Sequence, residues 1–272
     1  MILSDENIRQ IEKLIPLYLE VVQKPEYDEV YKWNALIHFQ KTFDLEAENF
    51  PEMLKDSLSK AKNLLSSNFY FANKVICNIA VKYPKETRDA FRNLCDESIE
   101  LIERINAFKA FGKAKIKELE PDKKLNDYQD DSTISVYLFF MFPEKYCPYK
   151  ASKLSDFAKK VGIKLPTTPP LVRYYELINE LREILINNQE YKAYFENNIP
   201  TEISRLAHFN LLTQDFIWIT YFINKKVEID KVPIINIQED VNKEPKVEPT
   251  NIEEMKIPKN LILYGPPGTG KT

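Results

Sequence analysis

Apolar residues return every three or four positions along most of this chain. Leu171, Tyr174, Tyr175, Ile178, Leu181 and Leu185 line one face of an α-helix predicted over Pro170 to Glu196. Met53, Leu54, Leu58, Ala61 and Leu65 predict a second helix, with Asn49 as its cap and Pro51 in its first turn. A third, longer one is predicted from Pro84 towards Glu120 through Phe91, Leu94, Ile102, Ile105 and Phe108. Gln129, Asp130 and Asp131 stand just ahead of a further helix from Ser132, where capping explains the acids better than catalysis. Stripes of this kind bury against neighbouring helices more often than they bind cofactors.

The pattern breaks twice within the helical region. ELEPDKKLNDYQDDS (118–132) and GIKLPTTPP (162–170) interrupt it with charge and proline, and the first suggests a division into two subdomains near 120–131. After Val227 the character changes. Charges alternate in sign, prolines recur, and no sustained apolar face remains, so residues 228–258 read as a linker with a span of roughly 30 Å. Within it, VPIINI (Val232 to Ile237) is a candidate short strand.

Glycine sharpens this division. The chain has five, and three of them, Gly265, Gly268 and Gly270, fall in the last eight residues. A glycine-poor body suits helices joined by few tight turns, while the terminal cluster is a local device. The expected fold class is therefore mainly α: a helical domain over 1–227, a linker, and at 259–272 the first strand and loop of an α/β module.

Composition removes several functions. A formal net charge of −3 gives no general attraction for nucleic acid, so any such contact must come from a local patch. Cys77, Cys95 and Cys147 contain no C-x-x-C pair, which argues against a zinc knuckle or a disulfide framework and suits a reducing compartment. MILSDENIRQIEKLIPLYLE is charged and amphipathic, unlike a secretory signal. ISVYLFFMF and FIWITYFI fall short of the roughly 20 residues that span a bilayer. The expected location is cytoplasmic, with no membrane partner.

The terminal stretch LILYGPPGTGKT carries the clearest chemistry. Gly265 to Thr272 fit the phosphate-loop spacing G-x-x-x-x-G-K-S/T, preceded by a β-prone run. In such a loop the backbone N–H groups of the turn between Gly265 and Gly270 point inward at the phosphates, and glycine permits the close approach. Pro266, Pro267, Gly268 and Thr269 complete the turn. Lys271 brings a point charge to the β and γ phosphates, and the Thr272 hydroxyl would ligate Mg²⁺. A helix starting at Gly270 would add its N-terminal dipole. Hydrolysis also needs a downstream acidic pair, which this sequence does not supply; it is expected to be the N-terminal part of a longer NTPase, with no catalytic residue of its own.

GPPGTGKT after NLILY resembles the Walker A loop of AAA+ ATPases, and in particular the McrB-like branch of modification-dependent restriction systems (the 5-methylcytosine type). The stretches Tyr31 to Ser67, Leu94 to Lys109, Tyr128 to Lys150 and Asn210 to Ile223 resemble the region ahead of the motor in that branch. The resemblance implies a nucleotide-driven homo-oligomeric ring coupling DNA recognition to an McrC-like nuclease subunit in antiviral defence. It leaves ATP and GTP open, with Thr269 tilting towards ATP. Two other readings share these residues: a non-enzymatic helical adaptor for DNA or protein, and an AAA+ protein remodeller.

The best nucleic-acid candidate is PEKYCPYKASKLSDFAKK, where Lys145, Tyr146, Tyr149, Lys150 and Lys153 interleave aromatic faces with cations, ahead of Lys159 and Lys160. Rings can stack on exposed bases and lysines can neutralise phosphates; the plainer reading is a turn whose tyrosines pack. Lys109, Lys113, Lys115 and Lys117 run directly into Glu118 and Glu120 and read as a solvated face. Trp33 and Trp218 read as core anchors. His38 and His208 each stand alone in sequence, which argues against a metal site or an acid–base dyad.

Overall fold

The computed structural model describes residues 2–25, 27–67, 69–122, 125–165 and 170–223. Eleven α-helices occur among them: α1 (Asp5–Val22), α2 (Tyr31–Thr42), α3 (Phe50–Ser57), α4 (Ala72–Lys82), α5 (Pro84–Cys95), α6 (Leu101–Leu119), α7 (Asp131–Met141), α8 (Ala151–Val161), α9 (Pro170–Asn187), α10 (Gln189–Glu196) and α11 (Arg205–Ile223). A 3₁₀ turn, Lys62–Leu64, leads into a small antiparallel ribbon of β1 (Ser66–Ser67) and β2 (Tyr70–Phe71), with Ser66 opposite Phe71. The described body is mainly α, as the periodicity requires. The linker 228–258, with its candidate strand 232–237, and the strand and loop at 259–272 lie outside the described residues.

Side-chain caps start several helices where the sequence places them. Ser4 accepts from the Asn7 amide while the Asn7 side chain accepts from the Ser4 N–H, a reciprocal capping box for α1. Asn49 caps α3 with Pro51 in the first turn, and Asp130 caps α7 by accepting from Thr133 N at 3.0 Å. Gly162 closes α8 with φ +75°, a left-handed position that glycine takes without strain.

Three predicted helices are shorter than their apolar stripes. The span from Pro84 to Glu120 breaks after Cys95, because Asp96 accepts from both the backbone and the hydroxyl of Ser98 and diverts the chain. The span from Pro170 to Glu196 breaks at Asn188, whose side chain caps α10 through Tyr191 N. The helix entered at Asn49 ends at Ser57, and Leu58, Ala61 and Leu65 reach the core from the turns that follow.

Two helices are buried nearly all round, which is what a helix apolar on every face requires. Residues Thr133 to Phe140 of α7 are all buried, and so are Ala207 to Ile217 of α11. α7 packs on α2, α5 and α6; α11 packs on α1, α8 and α9. Aromatic contacts knit each group: Phe91 stands 5.2 Å from Tyr137 and 5.1 Å from Phe108, and Tyr18 stands 5.2 Å from Phe216. α2 touches both groups. Phe39 stacks on Phe140 of α7 at 4.9 Å, while Trp33 Nε1 donates to His208 Nδ1 of α11 at 3.0 Å. One cluster of buried apolar residues consequently extends from Leu3 to Ile219, across the 120–131 stretch where the sequence suggests a division.

Close approach explains one glycine. A Cβ on Gly112 of α6 would lie 2.8 Å from Gln129 Cγ and 3.0 Å from Gln129 Cβ. Gln129 is itself pinned, donating to Asp127 O and accepting from the buried Tyr137 hydroxyl.

Candidate nucleic-acid interface

The lysine–tyrosine stretch from Pro143 to Lys160 divides between surface and core. Tyr146 is buried: its hydroxyl accepts from Arg104 Nη2 at 3.1 Å, and its ring lies 4.9 Å from Tyr175 and 6.3 Å from Phe142. Arg104, also buried, donates through Nη1 to Leu94 O near the end of α5 and so fixes this loop to α5 and α6. Tyr149 is half-buried, edge-on to Tyr174 at 5.1 Å, with its amide donating to Ser135 Oγ. Burial raises its phenol above the ordinary range. Tyr146 therefore offers no face for a base, and Tyr149 offers part of one.

The lysines separate in the same way. Lys153 is buried against the face of α11, its ammonium 3.3 Å from the Tyr221 ring centre and 5.3 Å from that of Trp218. Lys160 donates to Thr220 O at 2.6 Å, a cation at the last turn of α11, and burial lowers its pKa. Lys145 is exposed but ion-paired with Glu97 at 2.6 Å. Lys150 and Lys159 are exposed. Of the five residues proposed to read DNA, Lys145 and Lys150 keep exposed cationic side chains. Tyr146 and Lys153 are corrected to structural roles, because α6 and α11, distant in sequence, claim their rings and charges.

The lysine run in α6 is a surface face. Lys109 pairs with Asp131 at 2.7 Å and Lys115 with Glu118 at 3.0 Å, with Lys115 also over the Tyr83 ring.

Sequence order gives no hint of a buried polar cluster that joins α1, α2, α11 and the turn before α2. The Lys32 ammonium lies 2.8 Å from Glu29 Oε2, donates to Asp215 Oδ1 at 3.0 Å and to Gln214 Oε1 at 3.2 Å, and stands 5.5 Å from the Trp218 ring centre. The Glu29 contact is an ion pair without hydrogen-bond alignment. Asp215 Oδ2 accepts from Tyr18 at 3.0 Å and from Tyr27. Burial, then the Asp215 charge, pushes both phenols up, so both remain donors. Burial raises Glu29 and the Lys32 charge only partly offsets it; Lys32 is held protonated by Glu29 and Asp215 against the pull of burial. The cluster is largely buried, with Tyr27 at its partly exposed edge, and binds the helices together.

His208 is a core histidine. Its Nδ1 accepts from Trp33, which leaves the proton on Nε2, and burial lowers its pKa to about 4. No group of three or more His, Cys, Asp or Glu side chains suited to a metal occurs among the described residues. No helix there is long and apolar enough to cross a membrane. The phosphate-loop residues Gly265, Pro266, Pro267, Gly268, Thr269, Gly270, Lys271 and Thr272, with the Mg²⁺ ligand expected at Thr272, lie outside the described residues. Comparison of the chain with protein-family models, with curated proteins and with solved structures yields no match.

Proposed function

We propose that this chain is the recognition part of a nucleotide-driven NTPase of the McrB-like AAA+ type, which couples nucleotide turnover to DNA restriction with an McrC-like nuclease subunit. One observation carries the reading: NLILYGPPGTGKT at 260–272, a β-prone run followed by a phosphate loop in an otherwise glycine-poor chain. The donor set fits a magnesium nucleotide. Lys271 supplies the ammonium, Thr272 the hydroxyl, and the loop its backbone amides. ATP or GTP, when bound, supplies the free energy of phosphoryl transfer to such a motor. In this reading residues 1–227 recognise DNA, 228–258 connect, and 259–272 open the motor, whose subunits form a ring.

The test is binding of fluorescent ATP and GTP, with Mg²⁺, to the full-length protein and to its Lys271→Ala variant. The motor reading expects the variant to lose at least tenfold in affinity, about 1.4 kcal/mol or more. Equal binding by the two proteins, or binding by neither, would leave a helical adaptor instead.

A further inference from the structure

A cleft of about 320 Å³ lies between α2 and the turns after α3, lined by Tyr31, Asn34, His38, Lys60 and Lys62. Its lining holds two lysines and no carboxylate, in a chain whose 41 acidic residues outnumber 38 basic ones. Lys60 and Lys62 are exposed, and neither forms an ion pair among the described residues. Several other cations in this fold are otherwise engaged: Lys109, Lys115 and Lys145 with acids, Lys32 and Lys153 inside.

The walls are fixed. His38 Nε2 lies 2.9 Å from Asp56 O and 3.2 Å from Ser59 Oγ, which ties α2 to the turn that presents Lys60. The Asp56 carboxylate, 3.7 Å from the same nitrogen, is the acid facing this histidine and is not part of the lining. Burial pushes the Tyr31 phenol up, so it stays a donor, and exposed Asn34 adds an amide. Lys62 carries the sharper sign. Its φ is +41°, in the left-handed region that favours glycine, yet the chain keeps a long cationic side chain there. That side chain is exposed and contributes nothing to the core, so nothing in the packing accounts for it.

We infer that this cleft seats the phosphates of a nucleic-acid backbone, with Lys60 and Lys62 neutralising neighbouring phosphates and Asn34 and Tyr31 donating to their oxygens. The inference rests on the nucleic-acid reading proposed above and moves the contact away from 143–160. Two exposed cations in an open cleft suit a polymer passing across it more than an enclosed nucleotide.

The experiment measures binding of a labelled duplex of about 30 base pairs to the full chain over a salt series. Variants are Lys60→Glu/Lys62→Glu, Lys62→Gly, and Lys145→Glu/Lys150→Glu as the rival surface. The double cleft variant is expected to lose about tenfold or more and to flatten the log K against log salt slope by about two. Lys62→Gly is expected to weaken binding several-fold while its thermal midpoint stays level or rises, because glycine relieves the left-handed backbone. A merely structural lysine would show the reverse. Wild-type affinity in both cleft variants, or a loss confined to Lys145→Glu/Lys150→Glu, overturns the assignment. If the wild type binds no duplex at low salt, the DNA reading itself fails, and the cleft is judged by titrating inorganic pyrophosphate against side-chain NMR signals. Shifts at Lys60, Lys62 and His38 keep it as a phosphate seat; their absence removes it.

Discussion

Replacing Lys32 with methionine tests the buried charge network directly. Methionine keeps most of the stem's volume, so the change is chiefly electrostatic. The lost ammonium serves Glu29 at 2.8 Å and Asp215 at 3.0 Å, and the Lys32 and Asp215 side chains are only 2% and 0% exposed, so water screens little. Removing one partner of such a buried pair costs about 3–5 kcal/mol, a large part of the roughly 5–15 kcal/mol that holds a domain folded. Glu29→Gln should behave oppositely. The folded-state pKa of Glu29 is raised, so its contribution is fully present below its unfolded value and is lost as pH rises through the folded one. Ionised Glu29 is therefore a cost at neutral pH, and the amide should be neutral or stabilising by about 1 kcal/mol. Lys32 is also raised, so its contribution is complete at neutral pH and lost only in alkali. The deficit of Lys32→Met should accordingly shrink as pH falls below neutral and Glu29 takes up a proton. Urea unfolding followed by circular dichroism measures all three quantities. A Lys32→Met protein within about 1 kcal/mol of wild type, or a Glu29→Gln protein equally destabilised, would refute the reasoning.

Two further substitutions probe the packing. Gly112→Ala should destabilise by about 1–2 kcal/mol in chemical denaturation, since overpacking against Gln129 outweighs the roughly 1 kcal/mol that alanine gains in a helix. His208 has a folded pKa lowered from 6.5 to about 4, so its contribution is present above the unfolded value and is lost as pH falls through that window. The loss should reach about 3 kcal/mol, and a His208→Gln variant should show a flatter stability profile over the same range.

Helix content and several helix starts were legible because they are local. Asn49 with Pro51, and Asp130 ahead of the apolar run, announce their caps within four residues. The breaks at Asp96 and Asn188 were hidden because the apolar stripe keeps its phase across both, although an Asp-x-Ser turn and an Asn cap were present as signals. The lysine–tyrosine stretch left two readings open for a different reason. Interleaved residues do not say which faces inward, and the partners that decide, Arg104 for Tyr146 and Tyr221 for Lys153, sit 42 and 68 positions away. Lys32 and Asp215 are likewise separated by 183 positions, so no window along the chain could pair them. Lys60 and Lys62 lie in an apolar stripe that predicted helix, which hid the left-handed turn that makes them a pair facing α2.

The twelve residues of α2 have a consequence for how this body comes apart. Phe39 is stacked in one aromatic group, while Trp33 and Lys32 are bonded into the other, so neither group can shed α2 without opening its neighbour. Heat or denaturant should therefore melt both together in a single cooperative step, and amide protons of α7 and α11 should exchange through the same global opening.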